Sequence, residues 1–155
     1  LLVTDLGKEE EAVTRLSRVG FDNVLGHLSG GFESWATAKK EIDFINRIDP
    51  QQFEREFVIN ESVVIDVRKE SEYAAEHIEN AYSKPLAYIN DWIKDINPSE
   101  HFYIHCAGGY RSMIASSILQ ARGYRNFIEI GGGFNEISKG NVPKTDFICQ
   151  SKIYV

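Results

Sequence analysis

Ile104-His105-Cys106-Ala107-Gly108-Gly109-Tyr110-Arg111-Ser112 is the stretch on which the fold turns. Residues 101–105 read as a buried strand. Residues 112–122 carry Met113, Ile114, Ser117 and Ile118 near the helical period and read as a helix. Between them lies a short loop with a cysteine at its start. In open α/β sheets the C-terminal ends of strands are where ligands bind. Gly108 and Gly109 allow the backbone angles of a tight cradle. Its N–H groups are expected to point inward, and the following helix adds about half an elementary charge of positive potential at its start. Arg111 places a fixed positive charge at the rim. A Cys106 thiolate is stabilised in such surroundings and is a nucleophile there.

Working outward, Val63-Val64-Ile65-Asp66-Val67 is short, apolar and β-branched, and reads as a second buried strand. Residues 127–130 read as a third. Residues 70–76 suggest a short helix. Residues 86–96 fit an amphipathic helix with Ile89, Trp92, Ile93 and Ile96 on one face. Strands alternating with helices predict an α/β domain with an open, mostly parallel sheet flanked by helices.

Part of this pattern occurs twice. Residues 12–35 and 115–137 share Ala12 with Ala115, Leu16 with Leu119, Gly20-Phe21 with Gly123-Tyr124, and Gly30-Gly31-Phe32 with Gly132-Gly133-Phe134. Each copy reads as a helix, a glycine stop in the left-handed region, a short strand and a glycine turn into another helix. Only the second copy has a full domain before it. The expected organisation is a truncated repeat at 1–40, a linker at 41–50, a complete domain at 51–140 and a tail at 141–155. Aligned by its helix, the first copy sets Val3 opposite Cys106 and Lys8 opposite Arg111, and it contains no cysteine.

The 155 residues carry a formal net charge of −6, which disfavours general binding to nucleic acid or an anionic membrane. The two cysteines, Cys106 and Cys149, form neither a disulfide framework nor a close-spaced metal pattern, so a reducing cytoplasm is expected, with no metal and no cofactor in this chain. No apolar run is long enough to span a bilayer. The chain opens Leu-Leu-Val-Thr-Asp-Leu-Gly, already inside an apolar run, and is read as part of a longer polypeptide.

Cys106, Gly109, Arg111 and Ser112 stand in a Cys-x-x-Gly-x-Arg-Ser spacing that resembles the active loop of the rhodanese family. Asp66-Val67-Arg68 is similar to that family's Asp-x-Arg strand end. Glu72 with Glu76-His77-Ile78-Glu79-Asn80-Ala81 is similar to its Glu…Gly-His-Ile-x-x-Ala segment, with Glu76 in place of the usual glycine. Gly123-Tyr124 through Gly133-Phe134 resembles its closing helix, strand and turn. The resemblance covers about 51–138, and the segment at 1–40 looks like the end of an inactive rhodanese-like repeat.

The resemblance implies sulfur transfer, with Cys106 as the carrier of a persulfide and Arg111 as its catalytic partner. Ala107, Gly108, Gly109, Tyr110 and Ser112, with Asp66 and Arg68, are the implied substrate-binding residues. The implied partners are a sulfur donor such as thiosulfate or a persulfide, and a thiol or cyanide acceptor. Phosphatases of similar fold have five residues between cysteine and arginine where this chain has four, a cradle sized for one sulfur. An inactive copy before an active one also suggests an upstream metallo-β-lactamase-like domain, as in persulfide dioxygenase fusions. Two other readings stand beside sulfur transfer: a non-catalytic binding or regulatory module, and a phosphatase of the same fold.

Blander roles are expected for several neighbours. His105 in a strand points away from Cys106. Asp66 and Arg68 lie on one strand face and can pair structurally. His77 reads as a hydrogen-bonded structural residue, and Gly131-Gly132-Gly133 as a turn. Cys149 is a remote candidate for a second, resolving thiol.

Overall fold

Val63–Asp66 (β2) and Phe102–His105 (β4) lie side by side in parallel, with Ile65 opposite Ile104 and Asp66 opposite His105. Their side chains alternate between two faces. Ile65, Phe102 and Ile104 face one apolar cluster, and Val64 and Tyr103 face the other. A strand buried on both faces has no polar side to spend, which is why both runs are continuously apolar or aromatic up to their last residue.

The computed structural model describes residues 1–18, 20, 22–59 and 62–148; Cys149 falls outside them. Contacts divide the chain into Leu1–Phe44 and Ile45–Val155.

In the second unit five strands form a parallel sheet of order β1-β5-β4-β2-β3. The elements are β1 (Arg47–Ile48), α3 (Pro50–Ile59), β2, α4 (Glu70–Ala75), β3 (Tyr82–Ser83), α5 (Ile89–Trp92), β4, α6 (Tyr110–Ala121), β5 (Phe127–Ile130) and α7 (Gly133–Ile137). Ala115 and Leu119 of α6 pack with Ile89, Trp92, Ile93 and Ile96 on one face of the sheet. Phe53 of α3 packs with Phe134 and Ile137 of α7 on the other. The fold is the expected α/β one, an open parallel sheet flanked by helices.

Three local expectations are corrected. The helix expected over 86–96 is a chain of tight turns: 3₁₀ at Leu86–Tyr88, α5, then 3₁₀ at Ile93–Asp95. Its four apolar residues are all buried nonetheless. Part of the expected linker at 41–50 is structural, because Arg47–Ile48 pairs with Glu129 and Ile130 as an edge strand. The expected tail is docked through residue 148. Val142 is buried, Thr145 N–H donates to His77 O at 2.9 Å and Ile148 N–H to Ala75 O at 2.7 Å.

The first unit contains α1 (Glu9–Ser17) and α2 (Gly31–Thr37), and a parallel bridge between Leu2 and His27. Its glycine turns take nearly the same angles as those of the second unit. Gly20 and Gly123 have φ of 88° and 91°, and Gly30-Gly31 and Gly132-Gly133 have 77°/57° and 73°/57°. A Cβ on Gly31 would collide with the Thr4 carbonyl, as one on Gly133 would with the Cys106 carbonyl. Thr4, rather than Val3, therefore stands at the position of Cys106. The spacing from that point to the helix is one residue shorter than helix alignment assumes.

Candidate active site

β4 ends at His105, and Cys106 is the first residue beyond it, 1% exposed. Two contacts hold the start of the loop from outside. Phe134 N–H donates to Cys106 O at 2.7 Å, and Asn135 N–H to Ala107 O at 2.9 Å. Both donors belong to the first turn of α7, whose N–H groups lack intrahelical partners. A side chain at Gly133 would strike both carbonyls. The Gly131-Gly132-Gly133 turn thus serves as the clamp that fixes the loop.

With those carbonyls engaged, Gly109 takes φ +96° and starts α6, two residues earlier than the helical pattern suggests. Gly109 N–H donates to Cys106 Sγ at 3.1 Å. No side chain caps α6, so the N–H groups of its first turn have no intrahelical partners. The sulfur sits beside the positive end of a three-turn helix. Gly108 and Tyr110 are exposed at the loop tip, Tyr110 at 79%.

Arg111 is partly buried, and its charge is not free. Its Nη1 and Nη2 donate to Glu72 Oε2 and Oε1 at 2.6 and 2.8 Å. This bidentate bond brings the Glu72 carboxyl down from 4.5 to about 2 and raises the guanidinium further. Glu72 also accepts Lys69 N–H at 3.1 Å, closing the first turn of α4. A bond across α4 and α6 therefore locks the loop laterally. The motif around Glu72 and the rim charge of Arg111 were both visible in the sequence, whereas their pairing was not.

Ser112 is fully buried beneath the sulfur, with Oγ 3.4 Å from Cys106 Sγ. Its shortest bond, 2.6 Å, runs to Oε1 of Glu129 on β5, which is also fully buried. Arg47 Nε of β1 lies 2.7 Å from Glu129 Oε2. Sequence reasoning missed both Glu129 and Arg47. Glu129 was visible only as a polar residue inside an otherwise apolar strand, Phe127-Ile128-Glu129-Ile130.

Asp66 and Arg68 are not brought to the sulfur. Arg68 Nε donates to Asp66 Oδ2 at 2.8 Å, its Nη2 donates to Glu76 O at 2.7 Å, and its guanidinium covers Phe134 at 4.1 Å. Phe134 belongs to one apolar cluster and Cys106 to the other. The pair closes the end of β2 and pins the Glu76 segment. The contacts of the pair are thus with each other, the Glu76 carbonyl and Phe134, rather than with Cys106. His105 is fully buried, with Nδ1 3.2 Å from Cys106 O and Nε2 3.9 Å from Asp66 Oδ2. Burial pushes its pKa down, against a smaller opposing pull from Asp66, so it stays neutral and structural. His77 stacks on Tyr73 at 3.7 Å and holds Tyr73 O with Nδ1 at 2.8 Å.

A family model described as Rhodanese-like domain matches residues 49–139. The chain is 31% identical over 88 residues to the thiosulfate sulfurtransferase GlpE of Pseudomonas fluorescens, covering 52% of this chain and 81% of that one. It is 27% identical over 116 residues to the tRNA uridine(34) hydroxylase of Staphylococcus saprophyticus, covering 71% of this chain. It spans only 36% of that hydroxylase. Among solved structures, the rhodanese-like domain protein from Staphylococcus aureus superposes with a TM-score of 0.59 at 27% identity, over 67% of this chain and all of that one.

Proposed function

This chain belongs to the Rhodanese-like domain family, and we propose from that premise that it is a sulfurtransferase using Cys106 as its sulfur carrier. The observation that carries the reading is the seat of Cys106 Sγ, on the Gly109 N–H and under the uncapped start of α6. The Cys106 thiolate attacks the outer sulfur of thiosulfate or of a persulfide. The donor's S–S bond breaks and its electron pair leaves on sulfite or on a thiolate. The product is a Cys106 persulfide whose terminal sulfur carries the negative charge. A thiolate or cyanide then attacks that sulfur, and the Cys106 thiolate is released.

The cradle does its work through backbone dipoles. Arg111 is neutralised by Glu72, so the N–H groups of the first turn of α6 are the donors left for the terminal sulfur. They are fixed before the reaction, and no side chain has to reorganise. Arg111 is in this reading a brace for the loop.

An upstream metallo-β-lactamase-like domain in the same polypeptide, and a cytoplasmic location, are parts of the same proposal. The first rests on the inactive repeat and on the loop Cys-Ala-Gly-Gly-Tyr-Arg-Ser, and the reading frame upstream of Leu1 tests it. The second rests on Cys106 being a free thiol. Among the described residues no helix is long and apolar enough to cross a membrane.

Intact mass after treatment with thiosulfate, and separately with glutathione persulfide, tests the reaction. The expected result is a gain of one sulfur atom that cyanide or a thiol reverses and that Cys106→Ser lacks. No gain with either donor, on protein whose Cys106 is reduced, would overturn sulfur transfer in favour of a binding module. Release of phosphate from an aryl phosphate would favour the phosphatase.

A further inference from the structure

Glu129 is a fully buried carboxylate, and such a charge is costly unless paired. Its two oxygens have different partners. Oε2 lies 2.7 Å from Arg47 Nε, an ion pair without hydrogen-bond alignment. Oε1 accepts from Ser112 Oγ at 2.6 Å. Room for this arrangement comes from two glycines. A Cβ on Gly109 would approach Arg47 Nη2 to 3.0 Å, and one on Gly131 would approach Arg47 Nε to 3.0 Å. The guanidinium of Arg47 therefore reaches from the edge strand to a place against the active loop.

A serine hydroxyl has one proton to give. Ser112 Oγ has three acceptors in reach: Glu129 Oε1 at 2.6 Å, Gly109 O at 3.1 Å and Cys106 Sγ at 3.4 Å. The charged acceptor at the shortest distance takes the proton. The lone pairs of Ser112 are then what remains for the sulfur, so Ser112 accepts from the S–H of Cys106 and offers nothing to a thiolate.

We propose that Glu129, braced by Arg47, is a positioning residue that acts through Ser112 to hold Cys106 in its thiol form. This rests on Cys106 being the nucleophile of the reaction proposed above. The other charges near the loop are Arg111, paired with Glu72 and within electrostatic reach of Cys106, Arg68, paired with Asp66, and the Arg47 guanidinium beside Gly109, whereas the Glu129 chain reaches the sulfur through a hydroxyl. The cradle favours a thiolate and the chain beneath it favours the thiol.

The test is a pH titration of the ultraviolet thiolate absorbance of the full chain, with Cys149→Ser in every variant and Cys106→Ser as the blank. Ser112→Ala is expected to move the midpoint to lower pH by about half a unit to one unit, the worth of one hydrogen bond. Glu129→Gln is expected to move it the same way, and by less once Ser112 is already alanine. A rise of the midpoint in Ser112→Ala would mean that Ser112 donates to the thiolate, and would overturn the proposal. So would an unchanged midpoint in folded Glu129→Gln, or an equal shift in both backgrounds. If Glu129→Gln does not fold, the sign in Ser112→Ala decides alone. The titration needs no sulfur donor, so a protein that titrates as expected but takes up no sulfur refutes the sulfurtransferase reading and not this one.

Discussion

Gly133 bears more of the site than its place in a turn suggests. Its φ of +57° lies in the left-handed region, and a Cβ there would meet the carbonyls of Cys106 and Ala107. Gly133→Ala is expected to cost at least ~1–2 kcal/mol from the backbone alone, with the collision added. Thermal unfolding checks the loss, and sulfur uptake by intact mass should fall with it because the loop shifts. Glu72 makes a second prediction at this scale. Its pKa drops from 4.5 to about 2 on folding, chiefly through the bond to Arg111. A carboxyl depressed in the folded state adds stability that is present above its unfolded pKa and is lost as pH falls through the folded one. Denaturant unfolding between pH 5 and 2 should therefore show a decline that Glu72→Gln lacks, the variant being less stable at pH 7 and converging with the parent near pH 2.

The elements show how the loop gets its shape. β4 delivers Cys106, α7 fixes its carbonyl, α6 supplies the N–H groups, and the α4–α6 ion pair closes the side. No one of these holds the sulfur alone. The segment after α7 belongs to the same construction. Residues 141–148 cover the His77 segment through Val142, Thr145 and Ile148, and Lys144 Nζ lies 3.1 Å from Glu76 Oε1. Ending the chain after Gly140 would expose Ile78, which is fully buried, and leave the carbonyls of Ala75 and His77 without these donors. The expected loss is about 2–4 kcal/mol, read as a drop in Tm of roughly ten degrees or more. A Tm within two or three degrees of the parent would mean that the segment adds little.

Over the whole molecule the two units share the angles of their glycine turns, and Cys106 belongs to the second. Thr4 stands where Cys106 does, and the glycine angles match to within a few degrees, 77°/57° against 73°/57°. Every partner of the sulfur named above lies between Arg47 and Asn135. A chain of residues 45–155 is therefore expected to take up sulfur and to show the parent's thiolate titration, with intact mass and absorbance as the checks. Failure of that chain to load, while folded by circular dichroism, would assign the first unit a part in the reaction.

What the sequence determined by itself was whatever depends on neighbours along the chain. The β-branched runs at 63–67 and 127–130, the Gly-Gly-Phe repeat, and the strand–cysteine–glycine–helix order of 104–112 each follow from local sterics and periodicity, and they fix the α/β class and place Cys106 at a strand end before a helix. Only the tertiary structure decided which charges meet. Arg47 reads as linker and Glu129 as a stray polar residue, and they become partners because β1 joins the sheet edge beside β5. Asp66 and Arg68 read as site residues, yet the burial of Asp66 commits them to each other. Ion pairs and buried hydrogen bonds depend on distance and desolvation, and the order of residues along the chain sets neither until the sheet has formed.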